Sequence, residues 1–282
     1  MLIEQFDTNY EAPDDDYKLH RRFDRIGRLV GDTGMKTLLG AHVMVMGVGG
    51  VGSFAAEALM RSGVGRLTLV DFDLVCITNT NRQLHTMRGT VGKVKVEVMA
   101  ERLQKVNPQG RVDAIRAFYN AETSDELLGH RPDIVIDAID NITAKCHLIA
   151  TCRERRIPLV SSTGAAARLD PTLIRTADLA DTRIDPLAKA VRKILREKYG
   201  FPDKGPYGVT AVYSEEEPIV PTDLAYDNGE GFKCVCPQGQ NGLNECDKKN
   251  RIDGTAAFVV GAFGLACASV AVRTLLATAP AA

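Results

Sequence analysis

The 282-residue sequence predicts an α/β fold built on an open, doubly wound and mostly parallel sheet. Three observations lead there. Short apolar runs of strand length (residues 43–46, 67–70 and 134–138) alternate with stretches of helical period. A glycine turn joins the first of these runs to a helix and a second strand, making a βαβ unit. The balance of 45% hydrophobic to 25% charged residues suits one large domain and excludes disordered, collagen-like and coiled-coil chains. The architecture expected is Rossmann-like, with an N-terminal helical arm and a C-terminal extension that carries a basic helix and a flexible segment.

Residues 1–17 hold six acids and no base, and read as an acidic tail. From residue 18 the composition turns basic: K-L-H-R-R-F-D-R-I-G-R-L-V carries four arginines with apolar residues at helical spacing (Phe23, Ile26, Leu29, Val30). This is the helical arm, outside the sheet, from which a neighbouring subunit is in reach. Residues 18–165 form the core with its arm, passing through a helix near 93–106 and a polar crossover around 112–117. The strand at 134–138, a helix near 144–155 and a strand at 159–162 follow. Both faces of such strands are covered by helices, hence their continuous apolar character.

Residues 166–282 are the substrate-facing part of the same domain. An amphipathic helix spans 185–199, with Leu187, Val191, Ile194 and Leu195 on one side. The Pro/Gly/Asn-rich stretch 201–250 offers few strand signals beyond G-V-T-A-V-Y-S and reads as a mobile surface segment. The apolar run 255–278 is dominated by Ala and Gly, and Arg273 follows its most apolar part, which favours a buried helix over a membrane span.

Thirty-five bases against 36 acids leave a net charge of −1, so no global field draws the chain to nucleic acid or membrane, and any such contact must be local. The seven cysteines (Cys76, Cys146, Cys152, Cys234, Cys236, Cys246, Cys267) are too few and irregular for a disulfide scaffold. With no apolar signal core near the start, the expectation is a cytoplasmic protein with reduced thiols.

Gly47, Gly49 and Gly52 make G-x-G-x-x-G between strand and helix, with Gly50 added, so that backbone N–H groups can approach a phosphate at the helix N-terminus. Asp71 ends the second strand where a ribose is held, and Asp73 follows it in D-F-D. That much suits NAD and ATP equally. Asn79, Arg82 and Lys95 decide for a triphosphate, whose charge needs a cation cluster that a dinucleotide does not. D-I-V-I-D-A-I-D-N places Asp137 and Asp140 beyond a further strand, where a carboxylate can hold Mg²⁺ against phosphate oxygens; Asp137 has the alternative of capping the turn. His85 has no metal-ligand spacing and reads as structural.

The set G-V-G-G-V-G-S, D-F-D-L-V, T-N-T-N-R-Q, G-K-V-K-V-E and D-A-I-D-N resembles the ThiF/MoeB superfamily of ubiquitin-activating-enzyme-like adenylating proteins, in order from about residue 22 to 164. The resemblance implies attack of a carboxylate or carbonyl oxygen on the α-phosphate of ATP, with loss of pyrophosphate. It places Gly49, Asn79, Arg82 and Lys95 at the phosphates, Asp71 on the ribose and Asp140 near Mg²⁺. It also makes Arg25 a catalytic residue supplied by the other subunit of a homodimer, although Ile26 stands where the superfamily motif has Gln. No structural zinc is expected: the two C-x-x-C pairs of the sulfur-carrier activators are missing, and Cys234, Cys236 and Cys246 offer three thiols only.

After residue 164, G-A-A-A-R-L-D-P-T, A-D-L-A-D-T-R-I-D-P-L and F-K-C-V-C-P are similar to the tRNA threonylcarbamoyladenosine dehydratase branch (TcdA/CsdL). That branch uses ATP to activate the threonyl carboxylate of a modified adenosine beside the anticodon, and ring closure then expels AMP. A cysteine desulfurase or sulfur-acceptor system goes with it, for which Cys234 is the candidate relay thiol. For tRNA, residues 183–204 hold seven bases against three acids, with Lys189, Arg192, Lys193 and Arg196 on the polar side of the helix. A solvated helix face is the alternative reading. Arg153, Arg155 and Arg156 extend that surface, and Arg168 is either structural or substrate-facing. The rival functions are an adenylyltransferase acting on a ubiquitin-like sulfur carrier, an NAD-dependent oxidoreductase and a noncatalytic nucleotide-binding scaffold.

Overall fold

The computed structural model describes residues 17–222, 224 and 253–278. The βαβ unit is β1 (His42–Met46), α2 (Gly50–Arg61) and β2 (Arg66–Val70). All five residues of β1 are buried, as a central parallel strand requires. α3 (Lys95–Val106), β3 (Arg111–Ile115), α4 (Ser124–Leu128), β4 (Ile134–Asp137), α5 (Ile142–Glu154) and β5 (Leu159–Ser162) follow. β6 (Ile174–Asp178), α6 (Pro186–Tyr199), β7 (Thr210–Ser214) and α7 (Ala257–Ala277) complete the chain, preceded at its start by α1 (Asp24–Gly40). The seven strands lie in the order β3-β2-β1-β4-β5-β7-β6, parallel except for β6, which runs antiparallel to β7.

The order reverses between β1 and β4, and ligands bind in such sheets beyond the carboxyl ends of the strands at this point. The register brings those ends level. Met46 lies beside Val70 on one side and Asp137 on the other, and Asp137 beside Ser161. Every nucleotide-site residue named from sequence therefore sits on one edge of the sheet.

Two expectations are corrected and one is extended. The supposed crossover at 112–117 is β3, an outer strand. Its polar look comes from Asp113, which takes Arg66 Nε of β2 at 2.8 Å across the strands and Arg111 Nε of β3 itself at 3.0 Å, so charges that read as loop are partners within the sheet. The arm lies outside the sheet, but it is not free of the core. α1 is broken at Gly31 (φ +70°), and Phe23, Met35 and Leu38 are buried within the chain's own core while Arg25, Arg28 and Leu29 stay exposed. Finally, the start of the 201–250 stretch is built structure: β7 pairs with both β5 and β6. Tyr207 and Gly208 donate their N–H groups to Asp178, and the rings of Phe201 and Tyr207 meet edge to face at 5.0 Å. Gly and Pro there shape a turn rather than loosen the chain. Residues 225–250, and Cys234, Cys236 and Cys246 with them, lie outside the described residues.

α7 is long and apolar enough to cross a membrane by composition, yet it buries Val259, Val260, Phe263, Cys267, Ala271 and Leu275 in the main core. Two glycines let it approach α2. A Cβ at Gly264 would fall 2.4 Å from the Val51 carbonyl oxygen and 2.8 Å from Phe54 Cβ, and one at Gly261 would crowd the Phe54 ring. Gly264→Ala is expected to force the helices apart and to cost about 1–3 kcal/mol, read as a lower denaturant midpoint with an unchanged slope.

Candidate nucleotide-binding site

Backbone approach sets the glycine loop. Gly47 has φ +88°, and a Cβ there would lie 2.8 Å from the Ala138 carbonyl oxygen; one at Gly52 would lie 1.8 Å from the Gly47 oxygen. No side chain is tolerated at either. Gly49 and Gly50 begin α2, which has no side-chain cap and no acid in its first turn. Its N–H groups and positive dipole end are left for an anion.

Asp71 shapes this loop from the neighbouring strand. Its Oδ2 accepts the Val48 N–H at 2.7 Å and its Oδ1 the Asp73 N–H at 2.9 Å. Burial pushes its carboxyl up, against the pull of Lys95 and of those two N–H groups. Asp73 is not a free ligand: its Oδ2 takes Lys95 Nζ at 2.7 Å. Burial draws the Lys95 ammonium down, but Asp71, Asp73 and Asp140 together outweigh it and hold the pKa above the ordinary lysine value. Lys95 thus stays charged among three carboxylates.

Arg82 anchors one end of its guanidinium, Nη1 donating to the Thr78 oxygen at 2.9 Å and to Asn81 Oδ1 at 3.0 Å. Burial lowers its pKa, opposed by Cys76 and Asp140. Asn79 uses Oδ1 to accept the Cys76 N–H at 3.1 Å, so it chiefly builds the loop and keeps only its amide N–H groups for a phosphate. Asp140 is exposed and forms no ion pair among the described residues, while its neighbour Asn141 caps α5 through Ala144 N. The structure therefore gathers the glycine turn, Asp71, Asp73, Arg82, Lys95 and Asp140 at one strand edge.

Asp137 takes no part in that surface. It is completely buried; Oδ1 accepts the Ile139 N–H at 3.1 Å, and Oδ2 accepts Lys145 Nζ and Ser161 Oγ, each at 2.6 Å. Of its two sequence readings, turn capping is the one realised. Lys145, also 0% exposed, was missed by sequence reasoning, and its Nζ further reaches the Ser162 carbonyl at 2.9 Å. The available signal was a lysine flanked by Ala144 and Cys146 on the apolar side of a helix that follows a strand ending in Asp.

His85 is fully buried, and desolvation drops its ring to a pKa of about 3, leaving it neutral. The basic helix is mostly occupied with its own chain. Arg192 donates to the Thr182 carbonyl at 2.9 Å and to its hydroxyl, Arg196 reaches Tyr207 Oη and Asp203, and Lys193 lies 3.9 Å from Glu197. Lys189 alone of the four has no partner among the described residues. Arg153 stacks over Phe201 at 4.3 Å, and Arg155 pairs with Asp125. Arg25 is exposed on the first turn of α1 and makes no hydrogen bond among the described residues.

The ThiF family profile matches residues 23–282, taking in every site element above. The chain belongs to the ThiF family. Within it, the chain is 40% identical over 261 residues to the tRNA threonylcarbamoyladenosine dehydratase of Escherichia coli, covering 92% of this chain and 95% of that protein. It is 50% identical over 202 residues to the Bacillus subtilis enzyme of the same name, covering 72% and 77%. The crystal structure of the E. coli enzyme in complex with ATP superposes with a TM-score of 0.78 at 38% identity, covering 92% of this chain and 95% of that one.

Removing one member of a buried ion pair strands the other. Lys145→Met is expected to destabilise this ThiF-family fold by about 3–5 kcal/mol, whereas the paired neutral variant Lys145→Met/Asp137→Asn recovers much of that loss, as a double-mutant cycle by denaturation measures.

Proposed function

We propose that the chain is an ATP-dependent tRNA threonylcarbamoyladenosine dehydratase, working through an acyl-adenylate. The observation that carries this is the placing of Arg82, Lys95 and Asp140 around an uncapped helix N-terminus, in a chain alike over nine-tenths of its length to the E. coli enzyme of that activity. ATP is held with its phosphates on the Gly49–Gly50 backbone and its ribose at Asp71. A threonyl carboxylate oxygen bonds to the α-phosphorus as the bond to the β-phosphate oxygen breaks and pyrophosphate departs. Ring closure then forms a nitrogen–acyl bond as the bond from the acyl carbon to the adenylate oxygen breaks; AMP leaves with the carboxylate oxygen, the ring nitrogen gives its proton to phosphate or water, and the net change is loss of water.

The protein's share is positioning and charge neutralisation. Arg82 and Lys95 meet the phosphate charge, and Lys95 exchanges part of its bond to Asp73 for the nucleotide. No side chain is assigned as general base: the attacking carboxylate is already ionised, and the ring-closing nitrogen gives its proton to phosphate or water. The residues fit Mg²⁺: Asp140 is an exposed carboxylate without an ion pair among the described residues, and this cation takes one or two carboxylates together with phosphate oxygens. Bound there, it would add charge stabilisation at the leaving pyrophosphate.

The catalytic unit is a homodimer in which Arg25 reaches the partner's site. Leu29, one turn further along α1, is 82% exposed, an apolar side chain that a second subunit would cover. The tRNA docks with Lys189 among its phosphate contacts, Cys234 serves a sulfur-acceptor partner, and the protein acts in the cytoplasm. The experiment is pyrophosphate release from ATP and Mg²⁺ with tRNA carrying threonylcarbamoyladenosine or lacking it. Release with the modified tRNA only, with the nucleoside lighter by one water, is expected; silence with both, from protein that binds ATP, overturns the reading. Asp140→Ala is expected to lose Mg²⁺-dependent turnover, and Arg25→Ala to keep ATP affinity while losing turnover by about a hundredfold or more.

A further inference from the structure

The cations described so far serve the nucleotide. The acyl substrate is itself an anion that must be brought against a triphosphate, and Coulomb repulsion between the two calls for a further positive group on the acyl side. The loop that follows β5 carries one in an unusual setting. Arg168 is 3% exposed, and only Nη1 is engaged, donating to the Ala166 carbonyl at 3.0 Å. Nε and Nη2 are buried and have no hydrogen-bond partner among the described residues. The nearest carboxylate, Asp185 Oδ2, lies 3.8 Å from Nη2 and is already saturated: it accepts Thr163 Oγ1 at 2.7 Å and Gly164 N at 2.9 Å, while Oδ1 caps α6 through Ala188 N.

Buried charged donors left unmade are costly, so a guanidinium kept in this state points to a ligand that completes it. The two unpaired nitrogens are the adjacent pair whose N–H bonds run parallel along one edge of the fork, the edge that matches the two oxygens of a carboxylate. The backbone is bent to bring this about. Ala167 has φ +60°, uncommon for a residue with a Cβ, and the conformation is enforced from both sides: its N–H donates to the Gly254 oxygen at 2.7 Å and its carbonyl accepts from Ile219 N at 2.8 Å. Residue 255 is tied in turn to the phosphate loop, Asn81 Nδ2 donating to the Thr255 oxygen at 2.8 Å. The same strap therefore joins the Arg82 loop to the Arg168 loop, and β5 lies beside β4, whose end leads to Asp140.

We infer that Arg168 is the specificity-determining residue for the acyl substrate, gripping its free carboxylate through Nε and Nη2 and presenting it to the α-phosphate. This rests on the adenylating function proposed above. The residue discriminates an ionised carboxylate from a blocked one, and the strap at 253–256 keeps it in register with Arg82.

The test compares an anticodon stem-loop carrying threonylcarbamoyladenosine with the same stem-loop whose carboxyl is a methyl ester, by binding without ATP. The wild type is expected to prefer the free acid by about tenfold or more, a preference that Arg168→Gln removes while ATP binding stays close to wild type. Arg168→Lys keeps the buried charge and the balance with Asp185 but lacks the fork, and is expected to keep only part of the preference. Wild-type discrimination in either variant that folds overturns the inference while leaving the function standing. A wild type that neither binds nor turns over the modified RNA fails the function itself. With the acid substrate, Arg168→Gln is expected to raise KM for RNA with little change in KM for ATP, a split that a merely structural role would not produce.

Discussion

The site depends on how closely two strand ends approach each other. Gly47 and Ala138 meet with no room for a side chain between them, so the glycine turn and the turn that carries Asp140 form one tight junction. Asp71 pins the first turn through Val48 N, and Asp137 pins the second through Ile139 N. Lys145, neutralising Asp137 and reaching the Ser162 carbonyl, extends the junction to β5 and so to the loop of Arg168. Preorganisation here is a matter of backbone geometry first and charge second.

The charges divide between those gathered beyond the carboxyl ends of the strands and those that hold the fold. Lys95 sits among Asp71, Asp73 and Asp140, which keep it protonated despite burial. Asp140 stays exposed and unpaired among the described residues, while the equally acidic Asp137, three residues earlier, is sealed in the core. Two aspartates of one short motif thus take opposite places, because one is exposed beyond the end of β4 and the other faces α5. The same division runs through the basic helix α6, where Arg192 and Arg196 hold the chain's own loops.

Much of this was legible beforehand where local chemistry forces the outcome. A glycine turn between a strand and a helix leaves backbone N–H groups open to a phosphate, and an apolar run of strand length in such a chain belongs in a parallel sheet. β3 escaped because Asp113 is neutralised in part by Arg66 of the neighbouring strand, which no local window contains. β7 escaped in part because its flanking Gly and Pro read as loop, although they shape the approach to a buried strand. Lys145 escaped assignment because a charged side chain reads as surface until the fold encloses it, and Arg168 stayed between a structural and a substrate-facing reading because the sequence does not show what surrounds its guanidinium.

The sequence by itself determined the α/β class, the glycine turn between strand and helix and the family, since each rests on residue types at fixed short spacing. Only the tertiary structure decided which of Asp137 and Asp140 is sealed in the core and which is exposed, that Lys95 pairs with Asp73, that α1 is half arm and half core, and that Arg168 lies buried with Nε and Nη2 lacking a hydrogen-bond partner among the described residues. Those are questions of what surrounds a side chain, and the surroundings come from strands and helices distant in the chain, brought together by the order and register of one sheet.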